Sequence, residues 1–263
     1  MTAPSIHVEQ APTVQYLLRL GDTALILGQR LGEWCGHAPV LEEDIALANI
    51  ALDLIGQARA LLTRAGQLEG LGHHEDQLAF LREERDYRNA TIVELPNGPS
   101  RPGDFAFTVL RNAMMATWFR LMWERLQDSS DSELAAIAGK AVKEARYHQQ
   151  HSADWVVRLG DGSDESARRT RAALDALWRY TAELFDSDDI DSAAAANGLG
   201  PRWDALREPW LAEMHEFFAE AKLPMPADSA FRSTGKRGVH SEHMGYILSD
   251  MQYLQRSYPG GAW

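Results

Sequence analysis

The sequence predicts an all-α fold, a bundle of long helices with further helices packed outside it. Apolar residues recur at steps of three and four through most of the chain, which is the spacing of one helix face. No segment alternates polar and apolar residues as a half-buried strand does. No glycine-rich phosphate loop follows a strand pattern, so nucleotide-binding α/β folds are excluded.

Boundary signals place eight helices along the chain. The expected helices cover, in chain order, residues 14–30, 41–68, 75–88, 104–126, 131–159, 165–185, 202–222 and 239–256. The second begins with Glu42, Glu43 and Asp44, whose charges complement the positive end of its helix dipole. Its apolar residues form one stripe that we expect to face the core, namely Leu41, Ile45, Ala48, Leu52, Ile55 and Leu62.

The later helices are bounded by caps, glycines and prolines. Ser130 and Glu133 form a capping-box pattern before the fifth helix, and Gly160 ends it. The acidic, alanine-rich segment 186–200 lacks the glycine turn and terminal glutamate of a calcium loop, so we expect a solvated connection there. The helix at 202–222 is expected to be interrupted or kinked near its internal proline.

The composition is that of an ordinary globular protein, and the length suits one large domain or two small ones. The 263 residues are 45% hydrophobic and 24% charged, which suits a full core without disulfides, and Cys35 is the single cysteine. We expect a tail at residues 1–13 and one helical domain at 14–263. A net charge of −12 disfavours nucleic acid and anionic membranes. Because neither a secretory signal nor a membrane-spanning apolar run is seen, we expect a cytoplasmic protein.

The segment 140–151 carries the most informative chemistry. On a helix, Glu144 and His148 are four residues apart and His151 is three further on, so the three share a face. Carboxylates and imidazoles on helical stripes are the ligands of carboxylate-bridged di-iron bundles. Such a bundle needs Glu-x-x-His, with spacing three, on two helices and one Glu from each of two others.

The ligand count for a di-iron centre falls short. The second helix offers Asp53, but Gly56 stands three residues on, and Glu144 is followed at that spacing by Tyr147. The fourth helix has no carboxylate between residues 105 and 123, and the first offers only Asp22 in its body beside Gln29.

Two interpretations of these residues therefore remain, a metal site or a buried ionic network, and we favour the network. It would comprise Asp53, Glu144, His148 and His151, neutralised by Lys140, Lys143, Arg59, Arg146 or protonated His148.

A second candidate region precedes and enters the last helix. Lys236 and Arg237 lie between two glycines and make a positive patch on an acidic chain. His240 and His243 share a helix face, but two ligands without a third do not make a zinc site. This loop is interpreted either as a packed segment or as a docking surface for another protein or an anionic ligand.

Five motifs resemble one known family. They are LLRLGD at 17–22, QRLGEWCGHAP at 29–39, ALANIALDLIGQAR at 46–59, KEARYH at 143–148 and MQYLQR at 251–256. They resemble the C subunits of bacterial ring-1,2-phenylacetyl-CoA epoxidases (phenylacetate-CoA oxygenases), and the resemblance spans residues 14–263. It implies a ferritin-like fold with four core helices and a non-catalytic, structural role.

The resemblance also implies partners and cofactors. In that family a homologous catalytic A subunit holds the di-iron centre and binds phenylacetyl-CoA, and a small B subunit bridges the assembly. A reductase passes electrons from NADPH through FAD and an iron–sulfur centre, and the complex uses O₂ to epoxidise the aromatic ring. The family member that this chain resembles binds no cofactor itself, and a homodimer is a further expectation for the isolated chain.

Alternative functions stay open at this point. The chain would be a di-iron oxidase in its own right if Asp53, Glu144 and His148 held metal, or an iron store if many copies formed a shell. For the scaffold role, the pairing face is expected to draw on aromatic residues that are equally suited to the core, namely Trp118 and Trp123, or Trp203 and Trp210.

Overall fold

The structure confirms the all-α prediction. It is a computed structural model that describes residues 3–261, and within them the only β pairing is an isolated bridge between Thr234 and Val239. The α-helices of this part of the chain are α1 (Pro12–Gly32), α2 (Leu41–Glu69), α3 (Glu75–Phe80), α4 (Phe105–Leu126), α5 (Ser132–Gly160), α6 (Asp164–Trp178), α7 (Asp189–Ala196), α8 (Arg207–Glu220) and α9 (Met244–Ser257).

Four long helices form the central bundle, which is of the ferritin-like kind. α1 packs along α2, α4 packs along α5, and α2 meets α5. Gly28 of α1 allows a close approach, since a β-carbon there would lie 3.2 Å from the backbone oxygen of Ala51 in α2. α6, α7 and α8 cover the outside of this bundle, so α1 and α4 are buried along almost their whole length.

Several helix boundaries differ from the prediction. The third helix ends at Phe80 because the chain turns to place Arg82 in the core, where its guanidinium binds Asp22 of α1. The sixth ends at Trp178 and is followed by a 3-10 turn at Thr181–Phe185. The cap of α5 is Asp131, whose Oδ1 accepts the backbone N–H groups of residues 133 and 134.

The prediction of a solvated connection at 186–200 was wrong. It contains α7, and Asp191 of this helix is fully buried. The cause is Arg19 of α1, a buried cation that lies 3.0 Å from Asp191 and 2.7 Å from Asp188. A buried guanidinium requires anionic partners, and this acidic segment provides them.

Much of the predicted inward stripe of α2 faces outward, although Leu62 of that stripe is buried. Leu41, Ile45 and Leu52 are 70%, 53% and 65% exposed. The residues of α2 that pack in the core are Leu47, Ile50, Ala51, Leu54, Ala58, Leu61 and Leu62. The prediction was wrong because both sides of this helix are apolar, so periodicity alone did not distinguish the inner side from the outer.

The tryptophans proposed for a pairing face belong to the core. Trp118, Trp123, Trp203 and Trp210 are all fully buried. The rings of Trp118 and Trp203 lie 4.8 Å apart in an edge-on arrangement, and Trp210 donates a hydrogen bond of 3.0 Å to the Met114 carbonyl. No partner subunit reaches these side chains while the fold is intact.

Candidate functional site

Three of the side-chain pairs that join α2 to α5 involve the residues predicted for a network, and we call these three pairs the α2–α5 ladder. The helices run in opposite directions, so the residue number falls along α5 as it rises along α2. The pairs are His151 Nε2 with Glu43 Oε2 at 2.8 Å, His148 Nε2 with Asp53 Oδ2 at 3.0 Å, and Gln57 Nε2 donating to Glu144 Oε2 at 2.9 Å. The ladder unites the predicted Asp53, Glu144, His148 and His151.

Two members of the ladder, Glu43 and Gln57, were absent from the predicted network. Both follow from the same helical phase as Asp53, since positions 43, 46, 50, 53 and 57 advance by steps of three and four. Following this helical phase from Asp53 toward the start of α2 reaches Glu43, and following it one turn the other way reaches Gln57. The missed signal was therefore present in the spacing.

The His148–Asp53 pair is asymmetric in its exposure to solvent. The His148 side chain is 2% exposed, whereas that of Asp53 is 40% exposed. Burial lowers the pKa of His148, and the hydrogen bond and charge of Asp53 oppose this effect without cancelling it. The neutral ring is therefore favoured, with its proton on Nε2, because that nitrogen faces the carboxylate.

The lysines of the predicted network are both exposed. Lys140 Nζ lies 3.5 Å from Glu144 Oε1, but its side chain is 81% exposed. Lys143 is exposed and forms no ion pair within residues 3–261. Arg59 and Arg146 bind Glu75 and Glu124 instead. Glu144 therefore has no buried cation beside it, which corrects the expectation of a buried ionic network around it.

The ladder does not fit a di-iron centre. In the described part of the chain, no three His, Cys, Asp or Glu side chains lie close enough together to hold a metal ion. Asp22 of α1 points to Arg82 Nη1 at 2.9 Å, and Gly56 has no side chain to offer. Tyr147, which occupies the position of the second imidazole, is 54% exposed. No step of redox chemistry is therefore assigned to these residues.

Two of the four side chains predicted for the docking loop, those of Lys236 and His240, are buried. Lys236 is 1% exposed, its ammonium lies 4.7 Å from the centre of the Trp203 ring, and it donates to the Asp186 carbonyl. Burial lowers the pKa of Lys236, against the opposing charge of Asp191. Arg237, in contrast, reaches solvent, where it binds Asp186 at 3.0 Å. Lys236 is a core residue and not part of a docking surface.

His240 is also removed from the predicted docking surface. Its Nδ1 lies 2.6 Å from Glu94 Oε1 and its Nε2 lies 3.2 Å from the Tyr87 carbonyl, so both ring nitrogens face acceptors. Such a ring carries two protons and cannot ligate zinc. His243 is partly exposed and lines a cleft of about 1060 Å³ together with Tyr246 of α9.

Comparison with known proteins places the chain in a family. The family model described as phenylacetic acid catabolic protein matches residues 1–263. A protein of Escherichia coli K12, named as the C subunit of 1,2-phenylacetyl-CoA epoxidase, is 50% identical over 248 residues, which cover 94% of this chain and 98% of that protein. The family model matches the full length, and the all-α bundle is consistent with this family. The chain therefore belongs to the phenylacetic acid catabolic protein family.

Proposed function

We propose that this chain is the non-catalytic structural subunit of a 1,2-phenylacetyl-CoA epoxidase, and that it pairs with and stabilises the di-iron catalytic A subunit. Support comes from 50% identity, along nearly the whole of both chains, to a protein named as the C subunit of that enzyme. The observation that best supports a structural role is the α2–α5 ladder. Where a di-iron bundle places converging ligands, this chain has separate pairs between two helices.

The remaining partners follow from the same relationship. The assembly would include a bridging B subunit and a reductase that draws electrons from NADPH through FAD and an iron–sulfur centre. This chain would bind none of these cofactors and would act in the cytoplasm. Its own residues would supply a rigid, fully packed bundle against which the catalytic subunit is held.

Metal analysis of the isolated chain tests the structural role. The chain is expressed alone in iron-supplied medium, purified, and analysed for iron and for absorption by an oxo-bridged centre. We expect iron far below stoichiometry. Roughly two irons per chain with that absorption would instead establish the alternative, a di-iron oxidase that uses Asp53, Glu144 and His148.

Reconstitution tests the pairing. The chain is co-expressed with the A and B subunits, and epoxidation of phenylacetyl-CoA is measured after addition of the reductase. We expect co-purification with the A subunit and activity that depends on this chain. Glu144→Gln keeps the acceptor for Gln57, so the complex should form and its kcat should be unchanged. A large fall in kcat with complex and stability intact would show that Glu144 takes part in the chemistry.

A further inference from the structure

A cleft of about 760 Å³ lies between α6 and the loop that precedes α4, and we call it the α4–α6 cleft. It shares residues of that loop, 96–103, and His243 with the larger cleft that Tyr246 lines. Its volume falls within the range of about 300–1,000 Å³ that is typical of small-molecule sites. No residue of the α2–α5 ladder lines it, so a ligand bound there would be independent of the ladder.

The α4–α6 cleft has an apolar and partly aromatic lining. Phe107 of α4 and Ala173 of α6 are buried, and Tyr180, just after α6, is partly exposed. Ala172 and Ala176 are exposed side chains of a single carbon, so the outer part of α6 leaves room beside the two rings. A flat aromatic group suits this lining, because it can contact the rings edge-on or with an offset.

Cations border this apolar lining, although the whole chain carries a net charge of −12. The side chains of Arg168 and Arg169 line the cleft and are 66% and 53% exposed. Both bind Glu165, which is outside the lining, and Arg169 also lies 3.4 Å from Asp104, a carboxylate of the lining. Exposed ion pairs are weak, so these guanidinium groups can exchange their partners for an anionic ligand.

A buried arginine adds positive charge beneath the cleft. Arg111 of α4 donates to the Leu95 carbonyl and to the Asn97 side chain, and its Nε has no acceptor in the described chain. Its guanidinium carbon lies 5.9 Å from the centre of the Phe107 ring, and no carboxylate within residues 3–261 pairs with it. Burial and the charge of Arg30 lower the pKa of Arg111 to about 9, so it remains charged at neutral pH. Because a buried charge is little screened, the cleft above it favours anions.

The loop that forms one wall of the cleft offers backbone donors and is fixed in place. The N–H groups of Gly98, Ser100 and Gly103 donate to no acceptor within residues 3–261. A β-carbon at Gly98 would lie 2.8 Å from the backbone nitrogen of Asp104, and one at Gly103 would collide with the Trp34 ring. Because the loop is packed this closely, the cleft exists before a ligand binds, which favours binding.

We propose that the α4–α6 cleft binds an aromatic anion, a flat ring that carries an acidic group such as a carboxylate or a phosphate. The ring contacts Phe107 and Tyr180. The acidic group takes the place of Glu165 on Arg168 and Arg169 and accepts hydrogen bonds from the loop N–H groups.

The aromatic part of the site is tested with a fluorescent aromatic anion, anilinonaphthalene sulfonate. The probe is titrated with the purified full chain, and the parent is expected to bind it. Ala176→Trp fills the cleft from an exposed position of α6 and should weaken binding by about tenfold or more. Ala212→Trp makes the same substitution at an exposed position of α8 outside the lining and should leave the affinity unchanged.

The anionic part is tested by reversing one charge. Arg168→Glu replaces a cation of the lining by an anion and should weaken probe binding by about tenfold. Arg171→Glu makes the same change of charge at an exposed position of α6 outside the lining. Because solvent and salt screen that more distant charge, its effect should stay below about twofold.

Three competitors with the same ring identify the acidic group. Naphthoate, naphthyl phosphate and uncharged naphthol are each added to the complex of parent and probe. Displacement by naphthoate alone assigns a carboxylate, displacement by naphthyl phosphate alone assigns a phosphate, and displacement by both shows that the site accepts either acid. Naphthol should displace the probe at least about tenfold less well, because it lacks the charge.

The proposal is overturned by any of four results. They are a parent that does not bind the probe, an Ala176→Trp variant that binds it as tightly as the parent, equal effects of Arg168→Glu and Arg171→Glu, and competition by naphthol as strong as that by the two acids. Neither iron content nor co-purification with the A subunit enters these measurements, so the structural role proposed above stands or fails separately.

Discussion

His148 and His240 are both buried beside a carboxylate, yet their pKa values move in opposite directions. At His148 burial prevails over Asp53, whose carboxylate is partly hydrated. At His240 burial also disfavours the charged ring, but the hydrogen bond and charge of a fully buried Glu94, aided by the Tyr87 carbonyl, outweigh it and raise the pKa. The number and burial of the acceptors, and not the presence of a carboxylate, decide the charge of each ring.

The raised pKa of His240 predicts a pH-dependent contribution to folding. A histidine whose pKa is higher in the folded than in the unfolded state stabilises fully below its unfolded pKa, and this stabilisation is lost as pH rises through the folded pKa. His240→Gln should therefore destabilise the protein more at low pH than at high pH. Urea unfolding of parent and variant across a pH series gives the difference; a difference that stays constant would contradict the charged Glu94–His240 pair.

Glu144 is expected to contribute a hydrogen bond and not a buried ion pair. Glu144→Ala leaves the Gln57 amide without its acceptor, which should cost about 1–2 kcal/mol of unfolding free energy. Glu144→Gln keeps the acceptor and should cost less than about 0.5 kcal/mol. Chemical denaturation measures both. A loss of about 3–5 kcal/mol for the alanine variant, the value for breaking a buried ion pair, would indicate a cation that the structure does not place there.

At the residue scale, the sequence predicted which side chains share a face but not what each one meets. Asp53, Glu144, His148 and His151 came together because helical phase depends only on spacing. Two interpretations stayed open for the loop of Lys236, a packed segment and a docking surface, and burial is rare for a lysine. Its burial under Trp203 depends on how a distant loop packs, which local spacing does not contain.

At the element scale, α7 is held to α1 by charge. Asp188 caps α7 and Asp191 lies in its first turn, and both bind Arg19 of α1. Burial raises the pKa of Asp191, while Lys236 and Arg19 oppose this. The helix was missed in the sequence because an acidic, alanine-rich segment resembles a solvated connection until its buried counter-ion is known.

Removing that counter-ion should be costly. Arg19→Ala removes the cation nearest to the buried Asp191 and leaves Lys236, 3.9 Å away, as its counter-ion, so we expect a cost of about 3–5 kcal/mol. The matched control is Arg207→Ala, which breaks an exposed pair with Asp228 and should cost less than about 1 kcal/mol. If urea unfolding showed equal losses of unfolding free energy for the two variants, burial of the Arg19 ion pairs would not increase their contribution to stability.

Replacing a glycine of α2 by alanine is expected to have opposite effects on stability at positions 56 and 66. Gly56 has nothing within 4 Å of an added β-carbon, so Gly56→Ala should stabilise the helix by about 0.5–1 kcal/mol. At Gly66 the β-carbon would collide with the carbonyl oxygen of His73, so Gly66→Ala should destabilise by about 1–3 kcal/mol. Thermal unfolding measures the two signs, and a gain at both positions would contradict the packing of the turn after α2.

At the scale of the whole molecule, the two ends of the described chain meet. The Ala3 N–H donates to the Arg256 carbonyl at 2.9 Å, and Gln252 of α9 donates to the Arg82 carbonyl at 3.0 Å. The first described residues therefore pack on the last helix, while the single domain expected at residues 14–263 stays a prediction. The helical class was predictable from periodicity, whereas this closure of the ends depends on contacts far apart in sequence.

Deleting residues 244–263 should destabilise the whole fold. The deletion removes three buried apolar side chains of α9, Met244, Ile247 and Leu248, each worth about 1.5–3 kcal/mol. A loss on the order of 5 kcal/mol approaches the total stability of many domains. Circular dichroism and denaturant unfolding of the truncated chain measure this loss. A truncated chain as stable as the parent would show that α9 does not contribute to the stability of the fold.

The Asp22–Arg82 pair sets a condition for anyone who would engineer a metal centre into this bundle. Gly56→His and Tyr147→His would restore the Glu-x-x-His spacing in form, with Asp53 and Glu144 as the acids. A carboxylate from α1 would still be missing, because Asp22 is fully buried, binds Arg82 and accepts the Arg88 N–H at 2.8 Å. Breaking the pair to free Asp22 would leave the buried Arg82 guanidinium without its counter-ion, which costs about 3–5 kcal/mol of unfolding free energy. A successful redesign must replace Arg82 in the same step as it adds ligands.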